Sequence, residues 1–221
     1  MKKSFAPKLS FSQCGEDLII RFIFNLLGIK QPSYIDIGAY DPDKYNNTAI
    51  FYMDGSSGIN IEPDPDQFIR FLTKRKRDIN LNIAVFTKNG TKDFCIMTNK
   101  KLSRITNNQS KINDIDKSSV SFIKVKTKTI MNILNQHCKK HFPDFLTLDT
   151  EENDFEILKS IDFNIFYPYV ICVETMTYSS QLGESKKIIK IINYLCSRGY
   201  FVFADTYINT IFVRKDIWYK N

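Results

Sequence analysis

Apolar side chains change their spacing several times along this chain, and each change predicts an element. In "SQCGEDLIIRFIFNLLG" (12–28), Ile19, Phe22, Ile23, Leu26 and Leu27 recur at helical intervals. Ser12 suits the start of that helix, with acids in its first turn, and Gly28 suits its end. "YIDIG" (34–38) predicts a strand, and "NNTAIFYMDG" (46–55) a helix stopping at Gly55. "GINIE" (58–62) follows as a strand, and "DPDQFIRFLTKRKR" (64–77) as a helix with Asp64 as cap and Pro65 in its first position. "INLNIAVF" (79–86) predicts one further strand. The order β-α-β-α-β points to a parallel, doubly wound sheet.

The pattern lapses over 87–121. "KNGTKDFCIMT" predicts a turn and a short strand, and the polar, nonperiodic run that follows predicts a long loop. Alternation then resumes with a strand at 122–128, a helix at 129–140 capped by Thr129, a strand at 144–149, a helix at 153–161 and a strand at 169–175. An amphipathic helix is expected over 184–199, ending at Gly199, and two strands around a tight turn over 200–215. A doubly wound sheet that ends by folding back sets an antiparallel strand among parallel ones. That is similar to the class I methyltransferase (Rossmann-like) fold, whereas nicotinamide-binding sheets usually stay parallel. One α/β domain is expected over 33–221, preceded by an N-terminal helical segment (1–32) and interrupted by a polar insertion at about 98–121.

Composition adds little to this outline. The 221 residues are 43% apolar and 25% charged, the balance of a globular chain. No apolar run reaches the roughly 18 residues of a membrane span, and the first residues lack the apolar core of a secretory signal. Five scattered cysteines form no CxxC pair, so a reduced, cytoplasmic setting is expected. The net charge of +7 is compatible with an anionic partner. Its lysines are dispersed, however, and the one dense run, Lys74 to Arg77, closes a helix where the dipole favours cations.

In an open α/β sheet a ligand lies beyond the carboxyl ends of the strands, beside the first one. The turn after "YIDIG" is therefore the candidate cofactor site. Gly38 and Ala39 leave the backbone open to close approach. Asn46, Asn47 and Thr48 open the next helix, where N–H groups can hold a carboxylate. Asp36 can face a cation. A ligand with both an ammonium and a carboxylate fits, as in the methionine part of S-adenosylmethionine. Glu62 ends the second strand and can accept bonds from both ribose hydroxyls, a feature shared with NAD enzymes. The first turn lacks GxGxxG, and Asp41 and Asp43 would repel a pyrophosphate. The plainer alternatives are an Asp36 that bonds a neighbouring loop and a Glu62 that is an ordinary acid before a helix.

The segments "SQCGEDLII", "YIDIGAYDP", "NNTAIFY", "GINIEPDPDQF", "INLNIAV" and "FLTLDTEENDFEILKSIDF" occur in that order and resemble the FkbM-type methyltransferases. The resemblance covers residues 11 to 175. It implies S-adenosylmethionine as donor and a hydroxyl on a sugar or polyketide-like product as acceptor. It further implies that Asp36, Gly38, Ala39, Asn47 and Thr48 hold the methionine portion, that Glu62 holds the ribose, and that Asn82 and Ala84 lie near the adenine. Gln13 and Glu16 either fold over the cofactor or acceptor, or cap the helix. One departure stands at 149–154. The family has glycine and glutamate where this chain has Glu152 and Asp154, while Asp149 and Glu151 match.

Methyl transfer needs an aligned acceptor and a base within hydrogen-bond reach. His137 and His141 precede the fourth strand, at the wrong end of the sheet. Asp149, Glu151 and Glu174 follow strands four and five and should converge as the catalytic set. Two schemes are open: one acid acts as base with a pKa raised by its neighbours, or Asp149 and Glu174 hold Mg²⁺ or another divalent cation. Tyr178 either lines the acceptor pocket or packs. The expected acceptor is a small molecule, a sugar or nucleotide-sugar, with a bacterial surface polysaccharide as one destination. The alternatives are an RNA methyltransferase, for which "KKLSRIT" is a sparse basic surface, and a non-catalytic cofactor-binding module. Nucleic acid is therefore not the expected partner.

Overall fold

The computed structural model describes residues 8–106, 120–138, 142–151, 153–177 and 184–220. The expected roles of Tyr178, His141 and Glu152, and most of the polar insertion, lie outside these residues. In chain order the elements are α1 (Glu16–Leu26), β1 (Tyr34–Ile37), α2 (Ala49–Met53), β2 (Gly58–Ile61), α3 (Pro65–Lys74), β3 (Ile79–Leu81), β4 (Ala84–Val85) and β5 (Gly90–Ile96). A 3-10 turn at Lys100–Leu102 leads to β6 (Arg104–Thr106), β7 (Ser121–Lys128), α4 (Ile130–His137), β8 (Phe145–Leu148), α5 (Asp154–Lys159) and β9 (Val170–Glu174). The chain closes with α6 (Ile189–Ser197), β10 (Tyr200–Asp205), β11 (Asn209–Arg214) and α7 (Lys215–Trp218).

Seven strands form the main sheet in the order β10-β11-β9-β8-β1-β2-β3. From β9 to β3 all neighbours are parallel, and β11 runs antiparallel to both β9 and β10. The sheet is mixed α/β and mostly parallel, consistent with a methyltransferase fold. Along its central strands side chains alternate between its faces. Ile35, Ile37, Leu146, Leu148, Ile171, Val173 and Phe212 pack with α4, α5 and α6. Tyr34, Phe145, Val170, Cys172, Ile211 and Val213 pack with α1 and α2. On this second face Phe24, Phe51 and Phe145 meet edge to face, with centroids 5.8–6.4 Å apart.

A second, four-stranded sheet differs from the expected layout. Its order is β4-β7-β5-β6, with β5 antiparallel to β6 and β7. The single strand expected over 79–86 is two. β3 stays in the main sheet, and after Asn82 and Ile83 the chain crosses so that Ala84 and Val85 pair with Thr127 and Lys128. The strand at 122–128 therefore belongs to this second sheet. So does Arg104–Thr106, which the sequence presents as part of a polar loop. The sheet has its own small core of Ala84, Phe94 and Val125.

Two helix starts also differ. α1 begins at Glu16, because Gly15 adopts φ 89° and the Ser12 hydroxyl accepts from the N–H groups of Gly15 and Asp17. α6 begins at Ile189, because Lys187 pairs with Met176 in a β-bridge and Ile188 donates to the Thr175 carbonyl. The expected caps hold at α3 and α4, where Asp64 accepts from Asp66 N–H and Thr129 from Asn132 N–H.

Of the run Lys74 to Arg77, which closes α3 as expected, Lys74, Lys76 and Arg77 are exposed and only Arg75 turns inward. Gln67, Phe71 and Arg75 share the inward face of α3, and Arg75 is 1% exposed. Its guanidinium donates to the Pro42 carbonyl, the Tyr34 hydroxyl, Asn46 Oδ1 and Thr48 Oγ1, and lies 3.5 Å from Asp78. Asp78 in turn accepts from Tyr34, Asn60 and the Gly58 N–H. One buried cation thus faces a buried acid and supports the turn after β1. Replacing one partner of such a pair costs about 3–5 kcal/mol. Arg75→Met is therefore expected to lose roughly that much in urea unfolding, with Arg75→Lys recovering only part because it lacks the planar fork. A loss of under about 1 kcal/mol would show the network to be dispensable.

Candidate active site at the carboxyl ends of the strands

A cavity of about 390 Å³ opens where β1, β2, β8 and β9 end. That volume suits a small-molecule site. The turn after β1 forms its floor. Gly38 has φ 78°, and both Gly38 and Ala39 donate N–H to the Ile61 carbonyl of β2. A Cβ at Gly38 would stand 1.7 Å from the Asp149 carbonyl oxygen. The backbone of the β8 end is thus one reason for glycine here, beside the open approach expected of a residue that lines the cavity. Asp149 N–H also donates to the Ile37 carbonyl, so the turns after β1 and β8 are locked together.

Asp36 points to the α1–α2 side of the sheet, in line with Tyr34. Its Oδ2 accepts from Asn46 Nδ2 (3.0 Å) and Thr48 Oγ1 (2.9 Å). Burial pushes its carboxyl up to about 6, against the pull of Thr48, Arg75 and Asn46. The loop-bonding alternative for Asp36 thus holds, and Asp36 lines the cavity as well. Asn47 donates to Thr147 and also lines the cavity. Thr48 is fully buried and stands behind Asp36, outside the lining.

Glu62 is 6% exposed at the end of β2. Its two oxygens accept from the N–H groups of Tyr40 and Asp64, both at 2.7 Å. Burial pushes its carboxyl up to about 8, while those two N–H groups pull it down. Ala84, with Val85, Phe94 and Ile105 of the second sheet, supplies an apolar wall. Asn82 does not line the cavity. Its Nδ2 donates to the carbonyls of Glu62 and Pro63 and fixes their backbone from behind. Asp41 and Asp43 are also outside the lining; Asp41 pairs with Arg70 and Asp43 with Lys74. The expected repulsion of a pyrophosphate by these two acids therefore loses its basis.

The acids expected to converge do so. Asp149, Glu151 and Glu174 offer carboxylate oxygens within 4.8 Å of one another. Asp149 keeps accessible surface in the cavity yet is crowded by protein, and it shares a hydrogen bond with Glu174. Burial pushes both carboxyls well above the ordinary range, Asp149 further by the charges of Asp154 and Asp36, and Glu174 by those of Asp149, Glu151 and Asp154. Asp154 is buried one turn on, accepting from Thr150 N–H and Oγ1. His137 lies in the last turn of α4, away from the lining, as expected.

The methyltransferase FkbM domain matches residues 36–202 of the sequence. The chain belongs to that family. No curated protein matches it. For an FkbM methyltransferase the cavity sits where chemistry is expected, among convergent acids at the ends of parallel strands. Among the described residues, no helix is long and apolar enough to cross a membrane.

Several residues of the site do not announce themselves in the sequence. Four non-glycine residues have left-handed backbones among those described: Tyr40 (φ 53°), Tyr45 (52°), Glu151 (53°) and Tyr207 (76°). All four line this cavity. Such conformations cost of order 1–3 kcal/mol each and gather at functional sites. The 3-10 turn is pinned over the cavity by Lys100, which bridges Asp64 and Asp66, and by Lys101, which lies 3.9 Å from the Tyr45 ring centre. On the other side Gln13 lines the cavity, and Glu16 holds its loop in place. Glu16 accepts from Cys14 N–H, Thr206 Oγ1 and Asn209 Nδ2. Burial raises its carboxyl, and these bonds outweigh burial and leave it below its usual value. No spacing rule marks the tyrosines; Arg75 alone left a signal, as the third residue of an i, i+4, i+8 stripe.

Proposed function

We propose that this chain transfers a methyl group from S-adenosylmethionine to a hydroxyl of a sugar or sugar-containing metabolite in the cytoplasm. One observation carries the reading. Buried Glu62 and the acid trio Asp149, Glu151 and Glu174 line one cavity, on either side of the Gly38 turn. The antiparallel β11 between β9 and β10 supports a class I, Rossmann-like methyltransferase sheet.

The residues present fit the cofactor. The carboxylates facing the cavity, Asp36 and Glu62, suit an ammonium and ribose hydroxyls, and the Gly38 turn carries no glycine-rich phosphate cradle. Gln13, Asp36, Gly38, Ala39 and Asn47 would surround the methionine end, with Thr48 bracing Asp36. Glu62 would hold the ribose, with Asn82 bracing its backbone, and Ala84 would face the adenine. S-adenosylmethionine supplies a methyl group already activated by its sulfonium. The protein's share is to align the acceptor oxygen, which supplies up to roughly 7–11 kcal/mol, and to take its proton. Asp149 is the base, with Glu174 hydrogen-bonded beside it and Glu151 completing the set.

A second reading rests on the same trio. Three carboxylate oxygens within 4.8 Å of one another match the oxygen ligands of a hard cation. Asp149 and Glu174, with Glu151, would hold Mg²⁺ or a similar ion, which would acidify and orient the hydroxyl. Loss of turnover with chelator, restored by Mg²⁺, favours this scheme; turnover indifferent to chelator removes it.

Calorimetry with S-adenosylhomocysteine tests the cofactor. Tight binding is expected, with none for NAD. A hydroxyl pair donating to Glu62 favours its ionised form, and Glu62 carries its proton at pH 7 because its carboxyl is raised to about 8. Binding should therefore release a proton and strengthen as pH rises through about 8. Binding of NAD instead, or heats independent of buffer ionisation, would sink this reading.

Turnover with labelled donor tests the base. A base works ionised, and the Asp149 carboxyl is raised, so activity should fall as pH drops through a value well above the ordinary carboxylate range. Asp149→Asn is expected to lose about 10²–10⁴ in kcat. An acid limb near pH 4, or an active Asp149→Asn, would remove Asp149 from the role.

A further inference from the structure

We propose that Tyr207 is the specificity-determining residue for the acceptor, its ring providing a stacking face for the ring carbons of a neutral pyranose. The inference rests on the methyltransferase reading above and names a part of that site which neither motif nor family match marks.

Tyr207 stands in the turn between β10 and β11 and lines the cavity. It is 63% exposed, so its ring is not there to fill a core. Its φ of 76° belongs to the region that turns ordinarily give to glycine or asparagine. A bulky residue persists in that conformation only where the surroundings enforce it, and here they do. Asp205 Oδ1 accepts its N–H at 2.8 Å, and Lys187 Nζ donates to its carbonyl at 2.9 Å. Lys187 is also paired with Asp205, and the preceding Thr206 is tied to buried Glu16. The turn is held rigid, and the residue it sets at the cavity edge is an exposed tyrosine.

Its position selects the acceptor rather than the cofactor. The β10–β11 turn flanks the end of β9, where Asn209 pairs with Glu174, and Asn209 and Met176 also line the cavity. Glu62 and Tyr40 stand across the sheet at the β2 end. Around the reacting end are carboxyls and neutral amides, and the nearby Lys187 is already paired with Asp205. Such a set accepts and donates bonds to hydroxyls and disfavours a phosphate there. An exposed aromatic face beside hydroxyl-binding acids and amides is the combination that recognises a sugar ring, whose C–H face is apolar and whose rim is polar.

The test uses wild type, Tyr207→Phe, Tyr207→Ala and Tyr207→Gly with labelled donor and a panel of methyl pyranosides and uridine-diphosphate hexoses. Phe should keep wild-type KM for the methylated sugar. Ala and Gly should raise KM at least about tenfold, with kcat within about threefold and S-adenosylhomocysteine affinity unchanged. Gly relieves the left-handed backbone, so Tyr207→Gly should melt no lower than wild type while still losing acceptor affinity. Unchanged KM in Ala and Gly overturns the inference, as does a KM loss that tracks a fall in Tm. A wild type that binds S-adenosylhomocysteine yet methylates no pyranoside also overturns it. Failure of the wild type to bind S-adenosylhomocysteine at all is the separate signature that the underlying methyltransferase reading has failed.

Discussion

The guanidinium of Arg75 lies beneath the first turn of the sheet with almost no water to screen it. In that setting a cation is tolerable only with a counter-charge and a filled set of acceptors. Asp78 supplies the charge, and Pro42, Tyr34, Asn46 and Thr48 supply the acceptors. Asn46 and Thr48 then present donors to Asp36. The chain of bonds runs from α3 through the loop before α2 to the floor of the cavity. Each group is oriented by the next, so the floor is set by a polar network rather than by apolar packing. Buried networks of this kind define one geometry when fully satisfied.

Much of this architecture is legible in the sequence, because it depends on periodicity. The strands β1, β2, β8 and β9 are short apolar runs between turn signals, and α3 and α4 carry identifiable caps. Asp36, Glu62, Asp149 and Glu174 are legible for a related reason: each is a carboxylate within or at the end of an apolar run. The second sheet is not legible, since its pairing of Val85 with Lys128 joins segments with nothing local in common. Asn82 is opaque for another reason. It looks like a strand residue, and its function is to bond two carbonyls where the chain changes sheets. Tyr45 and Tyr207 carry left-handed backbones that no residue type advertises.

The two sheets divide the work of enclosure. The main sheet supplies the acids at its strand ends. The second supplies the apolar wall of Ala84, Val85, Phe94 and Ile105, and the lysine-bearing turn that spans from the α3 start to Tyr45. A cavity walled in this way lowers the local dielectric around its carboxyls. That crowding, with the charges of neighbouring acids, pushes the carboxyls of Glu174 and Asp149 above the ordinary range.

The bonds from Thr206 and Asn209 to Glu16 join residues 190 and 193 positions apart. A nascent chain emerges from its amino end, so Glu16 must wait for the 190 residues that follow it before its partners exist. Until then its carboxylate stays hydrated and the loop bearing Gln13 has nothing to rest against. Enclosure of the pocket thus follows synthesis of the β10–β11 hairpin, and a chain stalled or clipped ahead of it would carry an open, half-built vessel.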